Sequence, residues 1–276
     1  MTEYLAVDGG TIAYEVAGSG PLIVLAHGMG DSRAAYRDAI PPLVAAGYRV
    51  AAVDLRGCGE SSVDWPAWSR TAIAGDLLAV IRHLGGPAVL VGHSISGGAA
   101  TIAAAQKPSL VTAVVELAPF TRKQSVRLGD LRVKRFRQGM LRLLGTGLFG
   151  SVPLWRSYLD VAYPGAKPAH WEERLDRIDS LLREPGRMKA LQGMGRSAPT
   201  DAGAQLGNVQ SPVLVVMASL DPDWAASAEG AAIVDGLPSG LGRLEMIEGA
   251  GHYPHDQFPD QVVALVLAFL ESAARA

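Results

Sequence analysis

The sequence predicts an α/β fold, with a mostly parallel central sheet flanked by helices and an inserted helical segment. Three observations carry this. From Leu22 onward, short continuous apolar runs alternate with helix-length amphipathic stretches, as expected of strands buried on both faces of a parallel sheet. The alternation stops after Pro119 and resumes after Pro212. Between those points the charge changes sign. Arg122 to Arg196 holds 16 Lys+Arg against 7 Asp+Glu, or +9, whereas the rest of the chain stands at −11. Residues 1–119 and 200–276 are therefore read as one α/β core, and 120–199 as a helical cap over one edge of its sheet.

The elements follow in order. Leu5–Val7, Asp8-Gly9-Gly10 and Thr11–Val16 read as a hairpin with a glycine turn. Leu22–Ala26 is a buried strand that exits into His27-Gly28-Met29-Gly30. Ala34–Ala46 reads as a helix interrupted by Pro41-Pro42, and Tyr48–Val53 as the next strand. Thr71–Leu84 is a helix with Ile73, Leu77, Ile81 and Leu84 down one face. Ala88–Val91 is a strand followed by a small-residue helix, Gly97–Ala105, and Val111–Leu117 is a strand ending at Ala118-Pro119. In the insert, Val126–Leu144 reads as a helix with Val133, Phe136, Met140 and Leu144 along one side. Trp171–Leu182 and a weaker stretch to Met194 read as further helices. Val213–Ala218, Ala225–Val234, Arg243–Ile247 and Gln261–Ala274 restore the strand–helix alternation. Such sheets bind ligands at the carboxyl ends of their strands.

The bulk numbers narrow the function classes. A chain of 276 residues with 49% hydrophobic residues builds a large core. A net charge of −2 gives no global field that recruits nucleic acid. Cys58 is the lone cysteine, which excludes an internal disulfide framework, and no Cys-x-x-Cys spacing points to zinc. The N-terminus has no basic-then-apolar signal and no apolar run reaches spanning length. The expectation is a soluble cytoplasmic protein with no nucleic-acid partner, no metal and no organic cofactor. Nothing in the pattern assigns an oligomeric state.

The chemistry centres on Gly92-His93-Ser94-Ile95-Ser96. A strand, a sharp turn, a serine and a helix form the layout of a nucleophile elbow, whose turn demands small residues two before and two after the nucleophile. Gly92 meets the first demand, and Ser96 stands where glycine is expected at the second. Ser96 is itself a rival nucleophile, but Ser94 sits directly past the strand and keeps the glycine on the strand side. The structural alternative is an ordinary turn with capping serines.

A serine hydroxyl needs a base, and the base needs a carboxylate to hold its tautomer. The elbow thus predicts an acid and a histidine in later strand-exit loops. Asp221 follows the Val213–Ala218 strand and His252 follows Arg243–Ile247. Asp223 is the nearest rival acid and Glu116 a weaker one. Asp221 before proline also fits a plain turn starter. His255 with His252 makes a conceivable metal pair with no evident third ligand. Oxyanion donors are expected from the backbone N–H groups of Ile95 and Met29.

His27-Gly28, the run Asp54-Leu55-Arg56-Gly57-Cys58-Gly59-Glu60-Ser61, Gly92-His93-Ser94, Asp221 and Gly251-His252 together resemble the α/β-hydrolase fold superfamily. The likeness is strongest to its capped esterase, lipase and C–C hydrolase branches, and it covers nearly the whole chain apart from the insert. The resemblance implies a serine hydrolase acting on a small-molecule acyl substrate, a carboxylic ester or else a lactone or thioester. Serine at 94 argues against the epoxide hydrolase and haloalkane dehalogenase branches, which use aspartate there. Three other readings use the same fold: C–C hydrolysis of a diketone or dienoate acid, cofactor-free perhydrolase or haloperoxidase chemistry, and a hydrolase-like small-ligand binding protein.

The pocket is expected to draw on Gly28, His93 and Ser96 from the core and on Phe136, Met140 and Trp155 from the insert. The basic helix with Arg127, Arg132, Lys134, Arg135, Arg137 and Arg142 fits three roles: a solvated cap face, which is favoured, a peripheral contact with an anionic membrane, or a receptor for an acidic substrate.

Overall fold

The structure, a computed structural model, describes residues 1–124, 126–225 and 228–275. Eight strands form one sheet in the order β1-β2-β4-β3-β5-β6-β7-β8. They are β1 Glu3–Val7, β2 Gly10–Ala17, β3 Leu22–Ala26, β4 Arg49–Val53, β5 Ala88–His93, β6 Val111–Leu117, β7 Val213–Ala218 and β8 Gly242–Ile247. β1 and β2 pair antiparallel, β2 runs antiparallel to β4, and the pairings from β4 through β8 are parallel.

Alternate residues of the inner strands feed two cores. Leu22, Val24 and Ala26 of β3 join one cluster; Ile23 and Leu25 join the other. That is the period-two alternation of a strand covered on both sides, and it is why these strands read as unbroken apolar runs. One face is covered by helices α2 Arg70–His83, α3 Ile95–Gln106 and α9 Ala228–Val234, the other by α1 Ile40–Ala45 and α11 Pro259–Ala273. Short helices α8 Thr200–Gly203 and α10 Pro254–Gln257 complete the core. Of the helix expected over Ala225–Val234, Ala226 and Ser227 lie outside the described residues.

Pro41-Pro42 start a helix instead of interrupting one. They occupy the first turn of α1, where a missing N–H costs nothing, and the stretch before them is a short 3₁₀ turn, Arg33–Tyr36.

The insert between β6 and β7 contains α4 Lys134–Phe149, α5 Val152–Ala162, α6 Trp171–Arg183 and α7 Arg187–Arg196. α5 was not expected from the sequence; Ser151 caps it by accepting from Leu154 N, and Pro153 sits in its first turn. The helix expected over Val126–Leu144 begins later and runs further. A 3₁₀ turn occupies Leu128–Arg132, and the left-handed Gly150 ends α4. Its apolar stripe also splits: Phe136 is buried, whereas Leu144 is exposed.

The insert has its own core, around Trp155, Tyr158, Leu159, Trp171, Leu175 and Ile178, and this core takes in Tyr253 and packs on Met29 from the strand-exit loops. A buried ion cluster joins insert to sheet. Arg174 of α6, fully buried, donates through Nη2 to Asp31 Oδ2 at 2.5 Å, lies 3.4 Å from Asp256 Oδ2, and sits over the rings of Tyr163 and Tyr253. No helix among the described residues is long and apolar enough to cross a membrane.

Glu116 lies in β6 opposite Gly92 and is fully buried. Its Oε1 accepts from Thr121 (2.8 Å) and Thr101, while Oε2 has no partner among the described residues. Burial lifts its carboxyl from 4.5 to about 7, against the pull of the two threonines. Below about pH 4.5 both folded and unfolded chains are protonated here and nothing is lost. As pH rises toward 7 the unfolded chain ionises before the folded one, so stability falls by on the order of 3 kcal/mol. Glu116→Gln cannot ionise and keeps the threonine contacts. In thermal melts it should match the natural chain near pH 4 and melt several degrees higher near pH 8. Equal melting at both would refute the assignment.

Candidate active site

Ser94 ends β5 and begins α3 with φ +56° and ψ −118°. A non-glycine residue in that region is strained by about 1–3 kcal/mol and persists only where its surroundings hold it. Here they do. Ser94 N donates to Leu117 O (3.0 Å), and Ser94 O accepts from Gly97 N (3.1 Å) and Phe120 N (3.0 Å). The turn is so sharp that a Cβ on Gly92 would lie 2.3 Å from Ser96 O, which explains the glycine on the strand side.

The second small position is filled differently. Ser96 is fully buried, and its hydroxyl donates to His27 O at 2.6 Å. It faces the exit loop of β3 and not a ligand space, so its expected place in the pocket is corrected. Its presence also accounts for the missing glycine: a serine here ties the elbow to the neighbouring loop.

That loop is held tightly. Leu55 N donates to His27 Nε2 (3.1 Å), so Nδ1 carries the proton and donates to Gly28 O (2.6 Å). A Cβ on Gly28 would lie 2.8 Å from His93 Nδ1 and 3.1 Å from Ser94 Cβ. Gly28 thus permits the close approach of loop and elbow, and it is not among the described residues that line the large cavity at Ser94. The run from Asp54 to Ser61 braces the same region: Asp54 accepts from Arg33 N (2.7 Å) and Glu60 N (2.9 Å), and Arg56 makes two bonds to Asp76 (2.7 and 2.8 Å). Cys58 is buried, which pushes its thiol up to about 12, a structural residue.

His93 is likewise corrected from pocket to support. It is fully buried, and its Nε2 lies 2.7 Å from His252 O. Burial, with His255 and His252 nearby, holds its pKa well below the usual range, so the ring is neutral and Nε2 is the donor. The residue before the serine therefore anchors the backbone of His252.

His252 Nδ1 lies 2.9 Å from Asp221 Oδ2 and 3.5 Å from Asp223 Oδ2, all three buried. Asp221 Oδ1 accepts from Asp223 N (2.8 Å), and Tyr158 of α5 donates to Asp223 Oδ2 (2.6 Å). Asp221 is thus the better-placed acid, and Asp223 is a second carboxyl that the insert reaches through Tyr158. Glu116 pairs with threonines, away from His252. Burial lowers the basicity of His252, but Asp221 and Asp223 outweigh it and the ring rises to about 9. Burial lifts Asp223 to about 6 despite His252. His255 stacks on Tyr36 at 4.6 Å, and burial brings it down to about 3.

Among the described residues, two groups converge closely enough to hold an ion, Asp221–Asp223–His252 and Asp38–His170–Asp256. Each is already bonded internally or to a tyrosine: Tyr158 serves the first, Tyr163 the second. His255 belongs to neither.

Ser94, Ile95 and Met29 line one cavity of about 580 Å³ beneath the insert, a size suited to a small organic ligand. Trp155, Leu143, Leu144, Leu148 and Leu191 make its apolar wall, so Trp155 and Ser94 share a cavity. Phe136 instead lines a separate cavity of about 140 Å³ beside Trp224, and Met140 is half-buried and lines neither. α4 turns its leucines to the larger space and places Phe136 a different way round. Ile95 N is at the first position of α3, where helix geometry leaves the N–H without an intrahelical acceptor. The arginines of α4 stay outside: Arg137 bonds Leu131 O and Arg142 bonds Ser157 Oγ and Gln138 O. The cations at the cavity are Arg70, Lys123 and Arg196, and the sequence pattern assigns none of the three a role.

The model of the alpha/beta hydrolase family matches residues 23–265. A 2-(acetamidomethylene)succinate hydrolase of Mesorhizobium japonicum is 27% identical, over 96% of this chain and 94% of its own. Bifunctional epoxide hydrolase 2 of Sus scrofa is 38% identical over 67% of this chain and 32% of its own length. An esterase from Exiguobacterium antarcticum superimposes with a TM-score of 0.81 at 18% identity, over 98% of this chain and all of that one. The last is a likeness of fold.

Two outcomes are expected from this geometry. Ser96→Ala and Ser96→Gly both strip His27 O of its buried donor. Each should lower stability by about 1–2 kcal/mol in denaturant melts; a glycine variant as stable as the natural chain would mean that size alone matters at 96. If His252 serves as a base, it must first lose its proton, so kcat/KM on a neutral substrate should climb as pH rises toward about 9. Asp223→Asn removes one carboxylate that raises it and should shift that limb toward lower pH by roughly one unit. An unmoved limb in initial-rate profiles would show that Asp223 does not act on His252.

Proposed function

The chain belongs to the alpha/beta hydrolase family, and within it we propose that it is a serine hydrolase cleaving a carboxylic ester through an acyl-enzyme. Ser94 attacks the acyl carbonyl. His252 takes the serine proton at Nε2, since Nδ1 is committed to Asp221, and then passes it to the leaving alcohol. Asp221 holds the ring and balances the imidazolium. The N–H groups of Ile95 and Met29 receive the oxyanion. Water, activated by the same histidine, releases the acid and restores Ser94. Residues 120–199 act as a cap, whose Trp155 and leucines form the acyl wall.

The observation that supports this most is the conjunction of a strained serine on the cavity wall with a buried His252–Asp221 bond at 2.9 Å. The strain keeps the hydroxyl proud of the helix. Serine at 94 also speaks for ester chemistry over the epoxide opening named for the Sus scrofa relative, since the resemblance puts aspartate at that place in epoxide hydrolases. Lactones and thioesters fit the same steps.

A fluorophosphonate probe should label the protein at Ser94, and Ser94→Ala should abolish labelling and lower kcat on p-nitrophenyl esters by about 10³-fold or more. Labelling that survives the substitution would move the nucleophile elsewhere. Labelling without turnover of any ester, over chain lengths from acetate to palmitate, would favour C–C hydrolysis or ligand binding.

A further inference from the structure

The cavity that holds Ser94 is charged on one side only. Its lining includes Arg70, Lys123 and Arg196, and among the described residues it includes no aspartate or glutamate. Lys123 and Arg196 are exposed, where water satisfies them. Arg70 is not: it is 4% exposed.

A buried guanidinium ordinarily has a carboxylate against it, because desolvating an unpaired charge is costly. Among the described residues, the other two buried arginines obey this. Arg56 is bonded to Asp76, and Arg174 to Asp31 with Asp256 beside it. Arg70 departs from the rule. Nε donates to Phe120 O (2.8 Å), and Nη1 to Ser197 O (2.9 Å) and Ser197 Oγ (3.1 Å). All three acceptors are neutral. Asp201 is the carboxylate whose charge Arg70 feels, but its Oδ2 is taken by Thr71 and its Oδ1 by Ala202 N. Burial lowers Arg70 to about 10, so it is still charged at neutral pH. Among the described residues, Nη2 has no protein acceptor and no carboxylate lies within ion-pair reach.

Arg70 and Ser94 line the same cavity. A Cβ on Gly98, one turn along α3 from Ser94, would lie 2.8 Å from Arg70 Cδ. Phe120 links the two: its carbonyl takes Arg70 Nε and its N–H binds Ser94 O.

We propose that Arg70 anchors a substrate carboxylate, so that the esters cleaved here carry a free carboxylate elsewhere in the molecule. This rests on Ser94 being the nucleophile. One negative charge balances the buried guanidinium, and the two N–H bonds of Nη2 bind a carboxylate oxygen in a charge-assisted contact. Lys123 and Arg196 add attraction at the rim. The apolar wall holds the remaining carbon skeleton.

The test compares half-esters with their neutral methyl esters. Monomethyl succinate puts the carboxylate on the acyl side and acetoxyacetate puts it on the leaving-group side; dimethyl succinate and methyl acetoxyacetate are the neutral partners. At least one half-ester should exceed its partner by on the order of ten-fold in kcat/KM, mainly through KM. Arg70→Gln should bring that ratio close to one, while Arg70→Lys, which keeps the charge but loses the bonds to Phe120 and Ser197, should retain part of it. Were the role purely structural, Lys and Gln would behave alike. If both half-esters are poorer than their neutral partners while the neutral ones turn over, the proposal fails and the serine hydrolase reading stands. If none turns over and no probe labels Ser94, both fail. Should the variants not fold, inhibition of p-nitrophenyl acetate hydrolysis by the natural chain decides: succinate should compete and succinamide should not, and equal inhibition by the two would overturn the proposal.

Discussion

The sharp turn at Ser94 is the constraint on which the rest of the structure depends. A β-carbon-bearing residue with φ +56° is stable only when the backbone around it leaves no alternative. Three neighbours supply that compulsion. The end of β6 binds the serine N–H, Phe120 binds its carbonyl, and Gly92 lets the following turn close against the strand. Ser96 then carries the constraint sideways to the exit loop of β3 through His27 O. His93 carries it across to β8's exit loop through His252 O. Three strand ends are thereby locked to a single turn; Met29 and His252 stand on two of them, and Asp221 follows β7.

Two arginines show how the insert is fastened to this frame. Arg174 is fully compensated: it closes a buried cluster with Asp31 and Asp256, which follow Met29 and His252 by a few residues. It therefore fixes the insert over both loops. Arg70 reaches the other side and binds the two ends of the insert at Phe120 and Ser197, yet its charge is uncompensated by protein. One arginine closes the structure on itself. The other leaves a charge turned toward the space where a ligand would sit.

The same logic separates the two carboxyls beside His252. Asp221 has the shorter contact and a backbone bond that orients it. Asp223 is lifted by burial, against the pull of Tyr158 on its Oδ2, and its Oδ1 has no partner among the described residues. Because Tyr158 belongs to the insert, the basicity of His252 depends on how the insert is seated. A β-strand exit loop alone would not have that property.

The sequence by itself determined the layered architecture, since period and length of apolar runs follow directly from whether a strand is covered on one face or two. It also determined Ser94, Asp221 and His252 as the residues worth testing, because each stands in a short loop after a strand and strand ends are local features. Gly92 was legible for the same reason. What only the tertiary structure decided concerns direction and partnership. His93 and Ser96 lie beside the serine in sequence yet point into supporting bonds, Gly28 meets the serine only in space, and helix phase sends Phe136 to a different cavity from Trp155. Arg70 carries no local signal: an arginine at the start of a helix reads as solvated, and its burial without a carboxylate arises from segments 50 and 127 residues away. Charge compensation is a property of the folded neighbourhood, which no stretch of chain contains.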